Sequence, residues 1–428
     1  MHEMVSSANR TIAPPFLVAL NLTRRCNLAC AHCYLDADVR TAGVDAELET
    51  FEVKALLDHI FALSDETMIV LTGGEPLLRT DLCELVAYAS GLGLMVVVGT
   101  NGTLLDARRV TKLQAAGARA VGISLDSLDP TYHDCFRGLP GAWRATLAGI
   151  DACRRAGLMF QLHFTVTDDN AGELDDMIAF AGAAGAAVLN VFFVVCTGRG
   201  KSLSNISIGT YDRVLRRLAE AARDETDLIV RARCAPHFKR LAREVTPPLP
   251  ITLADGYEAG GCLAGTRYCR VTPEGDLTPC PYMEVPAGSI RETEFAVLWR
   301  DAPVFAALRS PKLEGRCGIC EYAKLCGGCR ARPLGRAGNL MGEDFLCNYQ
   351  PAGGPVIEPP TPDDAALDWS EEAEARLEHV PPFVRRFVRQ RAEAYARERG
   401  ERTVTPVHLH ALARRRFGAA LDQLADRR

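Results

Sequence analysis

No stretch of this chain is long and apolar enough to span a bilayer as a helix, which takes about twenty consecutive apolar residues. A signal-peptide core is missing too, because Met1 to Pro15 is a polar segment. Nor is one sign of charge in large excess. Lys and Arg number 49 against 54 Asp and Glu, for a net charge of -5. That balance gives no reason to expect nucleic acid or a membrane surface as the main partner. Together these absences point to a cytoplasmic protein. Cysteine, by contrast, is plentiful: sixteen in 428 residues. In a reducing compartment, clustered cysteines read as metal ligands rather than disulfides. A hydrophobic content of 48% leaves material for two or three domains with their own cores.

From Phe16 to about Cys234, short apolar runs alternate with helical patterns. The runs are Phe16–Leu22, Thr67–Leu71, Leu94–Val98, Ala120–Leu125, Met159–Phe164 and Val188–Phe193, with helical stretches such as Asp81–Ser90 and Trp143–Ala156 between them. Repeated βα units imply an α/β fold with a parallel sheet and right-handed crossovers. Six units suit an open, partial barrel, with ligands at the C-terminal strand ends.

Three cysteines follow the first run in the order Cys26-x3-Cys30-x2-Cys33, with Tyr34 next. Three thiolates on one loop can hold three irons of a cubane and leave the fourth open, whereas most Fe–S clusters take four cysteines. The alternative is a structural zinc loop. The spacing resembles the signature of the radical S-adenosylmethionine (SAM) enzymes. That resemblance implies a partial (βα)6 TIM-like barrel and a [4Fe–4S] cluster, held by Cys26, Cys30 and Cys33, that binds SAM and cleaves it to a 5′-deoxyadenosyl radical. It also implies a low-potential electron donor such as flavodoxin or ferredoxin.

Further motifs end the expected strands. Gly73-Gly74-Glu75-Pro76 resembles the family segment that binds the SAM amino group, with glycines allowing close backbone approach and Glu75 available to an ammonium. By resemblance, Thr100 and Asn101 lie near SAM, and Ser124 and Asp126 lie near its carboxylate and ribose; the plainer readings are an Asn-Gly turn and a loop cap. His163 reads as a SAM or substrate contact or as a satisfied core histidine. Arg199, between two glycines, could grip a carboxylate in fork geometry or sit in a solvent loop. Arg137 is a weaker candidate of the same kind.

Eight cysteines fall between Cys262 and Cys347, in a stretch too loop-rich to hold itself together without metal. The pattern resembles the SPASM extension with auxiliary [4Fe–4S] clusters. By the family's pairing, Cys317, Cys320, Cys326 and Cys347 hold one cluster; Cys262, Cys269, Cys280 and Cys329 hold another. Two residues separate Cys326 from Cys329 where the family has three, and Cys269 sits inside an apparent strand. One or two auxiliary clusters therefore fit, with zinc the alternative. Cys83, Cys135, Cys153 and Cys234 read as ordinary buried thiols, and Cys196 stays open as a residue of the barrel mouth.

The segment Phe192 to Gly200, the run Cys317 to Arg332 and the tail from Trp369 to Arg385 point further. The first two resemble the radical SAM enzymes of haem b and d-type haem formation. The tail resembles the small helical domain of light-independent protochlorophyllide reductase. The substrate implied is a haem-type tetrapyrrole whose side chains are decarboxylated or removed; the alternatives are a peptide or protein maturase and a non-catalytic Fe–S electron-transfer protein. The expected organisation is a tail at 1–15, the barrel at 16–235, an Fe–S domain at 236–350, a Pro-rich linker at 351–366 and a three-helix unit at 367–428. In that unit, Phe383, Val384, Phe387, Val388, Tyr395 and Ala396 form the stripe of the middle helix, and Pro406 opens the last helix.

Overall fold

The computed structural model describes residues 12–37, 46–195, 197–203, 206–225, 227–246, 261–359, 367–380, 385, 388–389, 392–393, 395–397 and 399–417. Seven strands carry the barrel: β1 (Leu17–Asn21), β2 (Met68–Thr72), β3 (Met95–Thr100), β4 (Ala120–Ser124), β5 (Phe160–Val166), β6 (Val188–Phe193) and β7 (Ile229–Arg233). They run parallel, each paired with the next. Three more, β8 (Tyr268–Val271), β9 (Asp276–Thr278) and β10 (Gly288–Ser289), come from the Cys-rich segment. The sheet order is β10-β9-β8-β1-β2-β3-β4-β5-β6-β7. β8 lies parallel beside β1, and β9 turns back antiparallel on β8. The sheet thus continues from the barrel into the Cys-rich segment. β7 and β10 are the two edges of the sheet, and among the described residues they are not paired with each other.

The six expected strands are present, and β7 is added. Its sequence, Ile-Val-Arg-Ala-Arg, holds two arginines and is only partly buried. An edge strand can keep one face polar, so it forms no apolar run. The others are mostly apolar because helices cover one side and barrel side chains fill the other. Helices α1 (Thr50–Leu63), α2 (Leu82–Gly91), α3 (Ala107–Ala115), α4 (Pro130–Arg137), α5 (Ala142–Ala156), α6 (Leu174–Ala184) and α7 (Ile208–Asp224) connect them. Local chemistry sets their starts. Asp106 accepts the Arg109 N–H at 2.7 Å; Asp129 precedes Pro130 and accepts from Thr131 at 2.7 Å. Such caps satisfy donors that a helix start leaves open. α7 buries the stripe Tyr211, Val214, Leu215 and Leu218 against the sheet.

The register aligns the motif-bearing ends. Asn21 pairs with Thr72, Thr100 with Ile123 and Ser124 with His163. Along β5, Gln161, His163 and Thr165 are half-buried and alternate with buried Phe160, Leu162, Phe164 and Val166. At the C-terminal end of the chain, Asp368–Trp369 and Thr403–Val404 form a two-stranded parallel bridge not anticipated from the sequence, since two-residue strands carry no periodicity. Ala392, Ala396 and Val404 make a small core there with Trp369 and Leu409. The last helix spans Pro406–Phe417 and opens on Pro406 as expected. Phe383, Val384 and Phe387 of the expected middle helix lie outside the described residues.

Candidate functional site

The Cys26–Cys33 loop has little regular structure, and neighbouring segments take up its backbone groups. Ala29 and Ala31 donate to the carbonyls of Arg137 and Phe136 at the end of α4. Arg199 donates its own N–H to the Cys33 carbonyl at 3.0 Å, while Gly74 and Glu75 donate to Thr23 and Arg25 at 2.7 and 2.8 Å. The ends of three different strands therefore hold one loop. Gly198, at φ 54°, packs so closely on this loop that a Cβ would lie 2.4 Å from the Cys33 carbonyl oxygen.

Each thiol accepts an N–H. Leu28 N donates to Cys26 Sγ at 3.4 Å, Ala37 N to Cys33 Sγ at 3.4 Å, and Arg137 Nη1 to Cys30 Sγ at 3.7 Å. Cys26 and Cys30 are buried, among Leu28, Leu35, Ala37 and Ala142. Burial pushes the Cys26 thiol up to about 12, although the Leu28 N–H pulls it down. Left to itself it stays protonated; a coordinated metal would deprotonate it. Acceptor sulfurs in a dry pocket beside a guanidinium fit three thiolates on an iron–sulfur cluster.

Glu75 lies against this loop, fully buried. It accepts from Leu77 N at 3.0 Å, Asn101 N at 2.9 Å and Thr100 Oγ1 at 2.8 Å. Burial nevertheless wins and raises its carboxyl to about 7. Asn101 Nδ2 donates to Asn27 Oδ1 at 2.9 Å, so the end of β3 also touches the cysteine loop. Gly73, at φ 139°, and Gly74 pass directly under it; a Cβ on Gly74 would lie 2.2 Å from the Arg25 carbonyl oxygen. Pro76 begins the short turn that follows. Tyr34 accepts from Asn21 Nδ2 at 2.8 Å and meets Tyr282 edge-on, with centroids 5.5 Å apart.

Arg137 and Asp126 form a buried pair at 2.6 Å under the loop. Burial would raise the Asp126 carboxyl, but Arg137, His32 and His133 together hold it below its usual range. Asp126 also accepts the Thr165 N–H at 2.9 Å, tying β4 to β5. Both side chains are thus committed within the protein, Asp126 as a latch and Arg137 to Asp126 and Cys30. Arg199 is committed as well: it donates to the Cys30 carbonyl at 3.0 Å and to Asp36 at 2.9 Å, so the expected carboxylate fork is a clamp on the cysteine loop. Ser124 ends β4 half-buried. His163 fills the space left by Gly122, where a Cβ would lie 2.6 Å from its ring, and faces Phe192 at 5.3 Å. Burial, with Arg233 and Arg137, lowers it to about 4, so its imidazole is neutral near pH 7.

In the Cys-rich segment, Cys317, Cys320, Cys326 and Cys347 line one cavity of about 30 Å3, with Arg240, Arg316 and Asp344 beside them. The donor set fits an Fe–S cluster. A second group packs together around Val195 and Met283: Cys280, Cys329, Cys262 and, not anticipated, Cys234. Cys269 is absent from it. Successive strand residues face opposite ways; Tyr268 faces the thiol group, while Cys269 points into the main core, fully buried. Burial pushes its thiol well up, and of the charged groups only Arg309 acts on it. Among the described residues no three Cys, His, Asp or Glu side chains converge as a site for a single ion. Cys196 lies outside the described residues.

Sequence reasoning also missed the frame between the two thiol groups. Arg332 binds Asp344 through two hydrogen bonds, at 2.8 and 2.7 Å, and both side chains are buried. Asp344 accepts the Cys329 N–H at 2.7 Å, and Arg332 Nη1 donates to the Cys234 carbonyl at 2.6 Å. The pair of charges in a Cys-rich run was the available signal.

Residues 20–181 match the radical SAM superfamily. The chain is 42% identical to an AdoMet-dependent heme synthase of Methanosarcina barkeri over 344 residues, 79% of this chain and 97% of that protein. The chain belongs to the radical SAM superfamily. Residues 262–329 of this radical SAM protein match an iron–sulfur cluster-binding domain of the SPASM type, and 369–412 match the proto-chlorophyllide reductase 57 kD subunit. A pre-heme d1 synthase of Dinoroseobacter shibae is 34% identical across 78% of this chain and 86% of its own length. The fold is similar to that of Streptococcus suis SuiB bound to S-adenosylmethionine, at 17% identity and a TM-score of 0.64, covering 79% of this chain and 78% of that one. No helix among the described residues is long and apolar enough to cross a membrane.

Proposed function

We propose that this radical SAM protein modifies side chains of a haem-type tetrapyrrole, by decarboxylation or side-chain removal, in haem biosynthesis. The observation that carries the chemistry is the set of three thiols, each accepting an N–H, on a loop bonded to the Gly73-Gly74-Glu75 segment. The substrate class follows from the relatives named haem and pre-haem d1 synthase. When bound, the cluster and SAM supply a 5′-deoxyadenosyl radical able to take a hydrogen atom from an unactivated carbon.

The chain's own residues prepare that chemistry. Cys26, Cys30 and Cys33 hold the cluster, and Arg137 offsets its negative charge from a buried position. Leu28, Leu35 and Ala142 keep water from the thiols. Glu75 holds the SAM ammonium, and Tyr34, Thr100, Asn101 and Ser124 line the same strand ends. His163, neutral beside Phe192, offers the barrel interior a polar edge next to an aromatic face, which suits a flat macrocycle with polar substituents. The cysteines of the C-terminal segment hold auxiliary clusters, and a low-potential flavodoxin or ferredoxin delivers the electron.

The test is anaerobic turnover with SAM and a reductant, offering iron-coproporphyrin and decarboxylated sirohaem separately. Loss of carbon dioxide or of a side arm, matched by 5′-deoxyadenosine, supports the reading. SAM cleavage that leaves both tetrapyrroles intact rejects the substrate class and favours a peptide or protein substrate.

A further inference from the structure

We infer that Cys234, with Cys262, Cys280 and Cys329, forms the ligand set of a second auxiliary [4Fe–4S] cluster, and that Cys269 takes no part in it. The inference rests on the reading of the Cys-rich segment as cluster-binding.

Placement is the first argument. Cys234 follows β7, outside the residues 262–329 that match the iron–sulfur domain. Even so, its side chain packs into the same group as Cys262, Cys280 and Cys329, next to Tyr282 and Met283. The Tyr282 side chain packs against the same group as Cys234.

Strand geometry excludes the competitor. Cys269 is paired opposite Val18 in the continuous ladder between β8 and β1. To face the thiol group it would need a one-residue slip of β8, which would send Tyr268 and Arg270 into the main core. Such a slip costs far more than one thiol ligand returns.

Backbone conformation is independent of both. Cys234 has φ 57° and is one of two non-glycine residues with positive φ among the described residues. That region is unfavourable for an ordinary residue and persists where the surroundings demand it. Here the buried Arg332–Asp344 pair supplies the demand. Arg332 binds the Cys234 carbonyl, and Asp344 binds the Cys329 N–H. One ion pair thus sets the backbones of two of the four cysteines.

The arrangement has an architectural consequence. Cys234 leaves β7, Cys262 precedes β8 and Cys280 follows β9. The cluster therefore ties β7, one edge of the sheet, to the β8–β9 segment near its other end.

The test uses the full chain carrying Cys26→Ala, Cys30→Ala and Cys33→Ala, reconstituted anaerobically, with iron and sulfide counted and the reduced protein examined by electron paramagnetic resonance. This background is expected to hold about eight irons, four for each set of four cysteines. Adding Cys234→Ala should remove about four, while Cys269→Val should keep all eight. If Cys234→Ala does not fold, Cys234→Ser, which preserves size, should shift the resonance of one auxiliary cluster only. Full iron and an unchanged spectrum in the Cys234 variants overturn the inference, as does loss of about four irons from a folded Cys269→Val protein. A background protein that binds no iron at all instead rejects the cluster-binding reading on which the inference stands.

Discussion

Replacing Glu75 by Gln probes the SAM pocket, because the carboxyl carries an unusual burden in the ligand-free protein. It is fully buried, and burial outweighs three donors to lift it from 4.5 to about 7. Of the ionisable groups, Arg109 pulls it down slightly, and it in turn helps to push Cys26 up. The sign of the linkage follows. A carboxyl raised on folding favours the fold below about pH 4.5, and that contribution disappears as pH rises through about 7; a shift of 2.5 is worth about 3 kcal/mol. An ammonium placed beside Glu75 reverses this by favouring the ionised form. The carboxylate is about nine-tenths ionised at pH 8 and about one-tenth at pH 6. A hydrogen bond to a charged partner is worth about 1.5–3 kcal/mol, so Glu75→Gln should weaken SAM about 10- to 100-fold at pH 8. The assay is anaerobic SAM binding to cluster-loaded protein from pH 5.5 to 8.5, wild type against variant. The ratio of the two affinities should climb through pH 7 and level off above it. A ratio that is flat across this range, as a carboxyl titrating near its ordinary 4.5 would give, would refute the reasoning.

Two further substitutions test the geometry around the cysteine loop. Gly74→Ala places a Cβ 2.2 Å from the Arg25 carbonyl oxygen; it should displace the loop backbone and cut iron retention at the first cluster, read as iron per chain in protein whose other cysteines are intact. Normal iron content and SAM affinity would show that the contact yields cheaply. Arg137→Met leaves Asp126 buried and unpaired, which costs about 3–5 kcal/mol, and should lower the melting midpoint sharply. Adding Asp126→Asn should restore most of that stability. The restored protein still lacks the donor to Cys30 and should show a lower reduction potential for the first cluster by potentiometric titration, and an unchanged potential would remove Arg137 from the cluster's electrostatics.

Much of this molecule is legible in the sequence where the signal is periodic. Apolar runs located six strands, and the cysteine spacing located the loop that crosses their ends. Glu75, Thr100 and Asn101 meet as expected because strand register carries them to one edge. Most of the misses depend on which way a side chain points or on partners distant in the chain. Arg199, Arg137 and Asp126 looked available to a ligand, but Arg199 clamps the cysteine loop, Arg137 donates to Cys30, and Arg137 and Asp126 pair as buried charges. Cys269 looked like a ligand by position, yet strand alternation turns it into the core. Cys234 looked ordinary because its partners lie far along the chain. β7 escaped notice because an edge strand tolerates Arg231 and Arg233.

The positions of the three thiol groups follow from the open barrel. The sheet stays open, with β7 at one edge, while β8 lies between β1 and β9. Here β1 takes β8 on its free side, the hairpin to β9 brings Cys280 and Tyr282 towards the opening, and the end of β7 brings Cys234. Tyr282 then touches two regions at once: it packs in the group that holds Cys234, and its ring meets Tyr34, one residue beyond Cys33. On the other side, Asp344 binds the Cys329 N–H and also lines the cavity of Cys317, Cys320, Cys326 and Cys347. The three groups are therefore linked in series by buried contacts, Tyr34–Tyr282 first and Cys329–Asp344 second.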